Sequence, residues 1–340
     1  MRSVSSRRRY APALRFSKRG RRVTYSGVLF AIAVALCGCG NLSNDDIAFI
    51  EALPRTGDLH VRLPAQSAQP APTALSAQSV CALGAAQEWL LGARDTGDKL
   101  NAAVDAVLGI IDAIRRSSPT SRKPDLRVWS FPDSKHPGVD MEASLLRVAS
   151  PPGADAAQQP WSFAIDARRA PGPWREILYA YFIGSEARRG LGEIAIEFDN
   201  SRALQINGPN DPPGTMLIHY DLSGEPRTVQ IDLGATGLGL SQFDYFYAGY
   251  ANGSGRFDYI FPDAQGNRFS LQTSFTAAGA GKADIFVVTA LGANGTLHEC
   301  WDAAACLTYV DDPLSVTPIC SGVPAGFCTR GDPGSCPMVP

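Results

Sequence analysis

The side chains of this sequence best suited to chemistry are its thiols. Cys37 and Cys39 stand one residue apart at the end of the apolar run "LFAIAVALCGC", Cys81 lies alone, and Cys300, Cys306, Cys320, Cys328 and Cys336 crowd the C-terminal end. A cysteine can act as a thiolate nucleophile, a metal ligand, half a disulfide or an acyl carrier, and its neighbours and compartment decide which. His298, Cys300 and Cys306 ("HECWDAAAC") are one set that could hold a metal, but their spacing matches no zinc pattern. His60, His136 and His219 have no partner at the i, i+4 spacing of a metal-binding helix. No G-x-S-x-G elbow raises a serine nucleophile, and Ser254 lies between turn glycines. Glu193 with Glu197, and Asp311 with Asp312, have the composition of an acid–base pair, but read as a solvated strand face and a turn. No glycine-rich loop leads into a helix. We therefore assign no catalytic residue, no metal ligand and no cofactor. Two further motifs have plain structural readings. Arg330-Gly331-Asp332 matches an adhesion tripeptide and reads as a polar loop in a small disulfide ring. Asn252 and Asn294 fit the glycosylation sequon.

The start of the chain is more telling. Nine basic residues and no acidic one precede residue 39, and an uncharged, mostly apolar run occupies residues 28–36. That order is a secretory signal peptide, over residues 1–38. The run falls short of the roughly 20 residues that span a bilayer. It ends in Leu36-Cys37-Gly38-Cys39, which resembles the lipobox of bacterial lipoproteins: a leucine three residues before the modified cysteine and a small residue just before it. Cys37 does not fit, because Leu36 directly before it is too bulky. The resemblance implies cleavage between Gly38 and Cys39, a diacylglyceryl group on Cys39, and acylation of the new amine. Several acyl chains anchor far better than one, at about 0.8 kcal/mol per buried methylene. Gly40, where inner-membrane lipoproteins carry aspartate, implies the outer membrane, on its periplasmic face or the cell surface. Ser6-Arg7-Arg8-Arg9-Tyr10 has a twin-arginine pattern, so both export routes stay open.

Removal of residues 1–38 leaves 22 basic against 33 acidic residues. An acidic chain without a basic patch makes a poor partner for nucleic acid. Six cysteines remain, an even number suited to disulfides in an oxidising compartment. Five lie at the C-terminal end, so full pairing requires one to reach back to Cys81. Among the many pairings, our expectation is Cys300–Cys306, Cys328–Cys336 and Cys81–Cys320.

The elements that must position these residues follow from periodicity. Residues 39–74 read as a short helix capped by Ser43 or Asn44, a short strand ("DLHVRLP") and a Pro/Ala/Gln linker. Residues 75–118 read as a helical hairpin broken near Gly92 and Gly97, with Cys81 on its first arm. Its second arm carries a stripe of Leu100, Val104, Val107, Leu108, Ile111 and Ile114. Residues 119–310 change to period two, with turns at Ser223-Gly224, 252–255, 263–267 and Asn294-Gly295. Residues 311–340 form a Cys/Pro/Gly-rich tail. The expected fold is α+β: an N-terminal helical hairpin packed on a large antiparallel β-meander of about 10–12 strands, an open or closed barrel-like sheet. A transmembrane barrel is disfavoured, since several strands fall short of the roughly 9–11 residues needed to cross.

A sheet this large, if closed, encloses more room than its own side chains fill. At the level of topology it resembles periplasmic lipid and lipoprotein carriers, and the whole resembles outer-membrane lipoproteins with no assigned role. The resemblance implies a non-enzymatic protein, partnered with the membrane through its acyl chains, that holds a lipid or other apolar ligand between helix and sheet. Phe243, Tyr245, Tyr247, Phe257, Tyr259 and Phe261 would form the wall facing that ligand, or pack as an ordinary aromatic core. A structural or surface interaction lipoprotein without ligand, and an unrecognised hydrolase, are the alternatives.

Overall fold

A computed structural model describes residues 43–55, 57–60, 81–84, 89–150, 158–184, 190–207, 213–234, 243–262, 266–315 and 317–339. Gly38, Cys39 and the rest of the expected signal and lipidation segment lie outside these described residues, as does the expected linker.

Strict alternation of apolar and polar side chains builds one sheet. Among the described residues its fifteen strands run in sequence order, each antiparallel to its neighbours. They are β1 (Ser121–Lys123), β2 (Leu126–Pro132), β3 (Val139–Arg147), β4 (Pro160–Arg169), β5 (Arg175–Ile183), β6 (Leu191–Glu197), β7 (Thr215–Asp221) and β8 (Arg227–Gly234), then β9 (Phe243–Gly249), β10 (Gly255–Pro262), β11 (Arg268–Phe275), β12 (Gly281–Val288), β13 (Asn294–Trp301), β14 (Leu307–Asp311) and β15 (Thr329–Gly331). Because side chains alternate with period two, the register sorts residues into rows. One inner row crosses β6 to β13 as Ile194, Ile218, Ile231, Tyr245, Tyr259, Leu271, Ile285 and Leu297. The adjacent outer row reads Glu193, His219, Gln230, Phe246, Asp258, Gln272, Asp284 and His298. Every aliphatic or aromatic member of the inner row is buried. A charged outer face is the reverse of a lipid-facing barrel wall. The edge strands β1 and β15 are three residues long and exposed, which leaves little free ladder for unwanted pairing.

Four hairpins share one turn. In residues 250–254, 276–280, 289–293 and 302–306 the first N–H bonds the fifth carbonyl and the fourth N–H bonds the first carbonyl. The fourth residue is left-handed: Gly253, Gly279, Gly292 and, as the exception, Ala305 at φ 59°. Glycines inside strands serve close ring contact. A Cβ on Gly281 would lie 2.5 Å from the Trp301 indole across the ladder, and one on Gly255 would lie 2.6 Å from the Phe275 ring. The Trp301 indole N–H donates to the Gly279 carbonyl at 3.0 Å.

The helices depart from expectation. The predicted helical hairpin packed on a sheet is corrected: the molecule is predominantly sheet, and one continuous helix, α2 (Trp89–Arg115), runs through Gly92 and Gly97. A glycine costs a helix only about 1 kcal/mol relative to alanine, and Gly97 is buried, where tertiary contact outweighs that cost. Cys81 sits not on a helix but in a turn over residues 81–84. The short helix α1 (Asn44–Ala52) does form, capped by Ser43 as the sequence suggests. Residues 58–60 of the expected strand "DLHVRLP" lie in a turn over residues 57–60 instead, and residues 61–80 lie outside the described residues. The strand count rises because β1, β13 and β15 were not foreseen; Asn294-Gly295 opens β13 rather than making a turn. β6 ends at Glu197 because Phe198 begins α3 (Phe198–Ala203).

One contiguous core joins helices to sheet. Phe49, Leu53 and Leu59 around α1, and Val104, Leu108, Ile111 and Ile114 of α2, pack in the same cluster as the inner residues of β2 to β13.

Candidate functional site

The expected ligand wall lies on the inner face. Tyr245, Tyr247, Phe257 and Tyr259 are buried there. Phe257 stacks at 4.9 Å from Tyr245 and 5.0 Å from Tyr259 between ring centroids. Phe243 and Phe261 share the row set by register with Leu233 and Phe269, but their side chains lie outside the described residues. The polar atoms of this face are its unusual feature. The hydroxyls of Tyr220, Tyr245 and Thr273 are buried and have no hydrogen-bond partner among the described residues. A buried polar group without a partner costs about 1–3 kcal/mol, and native structures contain few. Burial pushes the Tyr245 phenol well up, with the charges of Tyr247, Asp258 and Tyr259 adding to it. Tyr220 is pushed up first by burial and then by the charge of Asp58.

The first helix is fastened to the sheet by charge. Ser43 and Asp46 form a reciprocal cap: the Ser43 hydroxyl accepts from the Asp46 N–H at 3.1 Å, and Asp46 accepts from the Ser43 N–H at 3.0 Å. The buried Asp46 carboxylate also accepts from Arg127 Nε at 2.6 Å and Arg122 Nε at 3.1 Å. Arg127 reaches Asp45 as well, and its guanidinium lies 4.2 Å from the Phe49 ring centroid. Arg147 stacks on the same ring at 4.7 Å and on Trp161 at 5.3 Å. Burial would raise the Asp46 carboxyl, but the hydrogen bonds from Arg127, the Ser43 backbone, Arg122 and the Ser43 side chain outweigh it and hold it at about 2.

Where α1 ends against the end of α2, a cleft of about 480 Å³ is lined by Ile50, Arg55, Asp112, Arg115 and Arg116. Arg115 is held from two sides: its Nε donates to the Ile50 carbonyl at 3.1 Å and its Nη1 to Asp112 at 3.1 Å. Burial first, and repulsion from Arg55 second, push its guanidinium down. Sequence reasoning missed this cleft. Arg115 and Arg116 carry a signal only as cations at a helix C-terminus, and nothing local links them to Arg55.

All six described cysteines are paired, but not as expected. The disulfides are Cys81–Cys306, Cys300–Cys336 and Cys320–Cys328. The bridge back to Cys81 exists, with a different partner, because the 302–306 turn lies beside the 81–84 turn, where the Leu307 N–H bonds the Gly84 carbonyl at 2.9 Å. The metal alternative at His298 fails, since Cys300 and Cys306 are in disulfides and His298 pairs with Asp284 at 2.6 Å. Arg330 and Gly331 lie in edge strand β15 while Asp332 caps the following turn at Gly334, so no small ring displays the tripeptide. Glu193 pairs with His219 at 3.2 Å on the outer face, and Glu197 accepts from Thr215 at 2.9 Å. Asp312 is a buried turn anchor that accepts from the Thr317 N–H at 2.7 Å. Comparison with protein-family models, with curated proteins and with solved structures finds no match to this chain.

Proposed function

We propose that the protein is an exported lipoprotein, tethered to the outer membrane through acyl chains on Cys39, that holds an apolar or amphiphilic ligand against the inner face of its sheet. Support for export comes from the signal-like first 38 residues and from three disulfides, which persist in oxidising compartments. The observation that carries the ligand reading is the set of partnerless hydroxyls of Tyr220, Tyr245 and Thr273 within a mostly apolar face. A ligand with a polar group among apolar carbons satisfies them at the place where the chain itself does not. This role involves binding, not catalysis.

Native mass spectrometry of the full lipidated chain, extracted in mild detergent, tests it. An apolar molecule is expected to co-purify and to leave under harsher extraction; its repeated absence overturns the ligand role. In that event the protein is a structural or surface-interaction lipoprotein. That second reading draws on the continuous core in which α2 and the sheet already pack together. The anchor is tested separately. Labelled palmitate is expected in the wild-type chain and absent from Cys39→Ser.

A further inference from the structure

The cleft between α1 and α2 gathers three guanidiniums on a chain that is acidic once its first 38 residues are removed. Arg115 is fixed by the Ile50 carbonyl and Asp112. The side chains of Arg55 and Arg116 donate to no partner among the described residues, and Arg116 is exposed. Three cations against Asp112 and Asp58, whose carboxylate accepts the Arg55 N–H at 2.8 Å, still leave the cleft net positive. A dianion seated among them relieves the repulsion that Arg55 exerts on Arg115. The planar forks of guanidinium groups match phosphate oxygens two at a time.

We propose that this cleft binds a phosphate-bearing anion, with Arg115 as the pre-positioned guanidinium and Arg55 and Arg116 closing on the ligand. Two sources share this chemistry, a lipid headgroup and a soluble phosphate. The headgroup source rests on the lipid-anchor reading. Only four residues, 40–43, lie between Cys39 and the start of α1, and the five steps reach about 17 Å at most. The nine-residue helix adds about 14 Å, which keeps the cleft near a membrane surface.

The test is a calorimetric titration of the full chain in neutral detergent with inorganic phosphate, at constant ionic strength and with chloride as reference. Saturable binding is expected. The double variant Arg55→Gln/Arg116→Gln should weaken it by about tenfold or more, since each lost charge-assisted hydrogen bond is worth about that factor. Its thermal midpoint without phosphate should not fall, because neither side chain holds a partner among the described residues and the loss of Arg55 only relieves repulsion on Arg115. Absence of saturable heat, or a double variant that binds like wild type, overturns the proposal. A second arm places the protein in phosphatidylcholine vesicles with or without phosphatidylglycerol. Weaker phosphate binding in the anionic vesicles assigns the site to headgroups, and unchanged binding assigns it to soluble phosphate. Failure to take up palmitate would remove the anchor and leave the phosphate titration readable.

Discussion

Substituting Asp46 by asparagine removes the main counter-charge of a buried guanidinium. The Asp46 side chain is 1% exposed and that of Arg127 4%. With its pKa lowered from 3.8 to about 2, the carboxylate contributes about 2 kcal/mol at neutral pH. The folded value lies below the unfolded one. The contribution is therefore complete above about pH 5 and is lost as pH falls from about 4 through 2. Asparagine does more than erase that increment, since it leaves Arg127 buried with Asp45 alone, and Asp45 is half exposed. Breaking a buried pair costs about 3–5 kcal/mol; the surviving contact to Asp45 puts the expected loss near about 3 kcal/mol. Guanidinium unfolding of the full chain, followed by tryptophan fluorescence, measures it. The acid-dependent loss between pH 4 and 2 should shrink in the variant. Replacing both partners, Asp46→Asn with Arg127→Met, should recover part of the loss, because no charge is then buried unpaired. A loss below about 1 kcal/mol, the level of an exposed ion pair, would refute the reasoning that this helix is held by a buried charge.

Three further outcomes are expected. Non-reducing peptide mapping should recover Cys81–Cys306, Cys300–Cys336 and Cys320–Cys328, and Cys81→Ser with Cys306→Ser should lower stability by about 4 kcal/mol in denaturant, as befits the largest loop closed. Ala305→Gly should raise the unfolding free energy by about 0.5–1 kcal/mol, because Ala305 occupies a left-handed position that glycine fills in three sister turns. Gly281→Ala should cost about 1–3 kcal/mol by driving a methyl into the Trp301 ring, and the calorimetric midpoint should drop accordingly.

Much of the architecture is legible where the determinant is local. Ile194 and Ile196 alternate with Glu193, Ala195 and Glu197 in sequence, and the first pair is buried. Phe257 and Tyr259 likewise face the core while Asp258 faces out. Ser43 and the two aspartates after it announce a capped helix, and the helix forms. Legibility fails where the signal is short or shared. Three-residue β1 and β15 contain no period to read, and β13 hides behind an Asn-Gly pair that normally marks a turn. Gly92 and Gly97 read as a break because propensity is local, whereas the continuity of α2 is decided by what it packs against. The aromatic face of residues 243–261 is legible from its alternation, but the partnerless hydroxyls of Tyr220 and Thr273 belong to strands outside that hairpin.

Residue order alone determined the two-faced strands, the capped first helix and, by the parity of its cysteines, a covalent link from the C-terminal end back to Cys81. Tertiary structure alone decided that Cys306 is the partner, that Asp46 meets Arg127 across 81 positions, and that Arg55 converges with Arg115 and Arg116. The reason is physical. Face and cap depend on a few consecutive dihedral angles, while these meetings depend on a register carried across many strands and on how two helices settle against the resulting sheet.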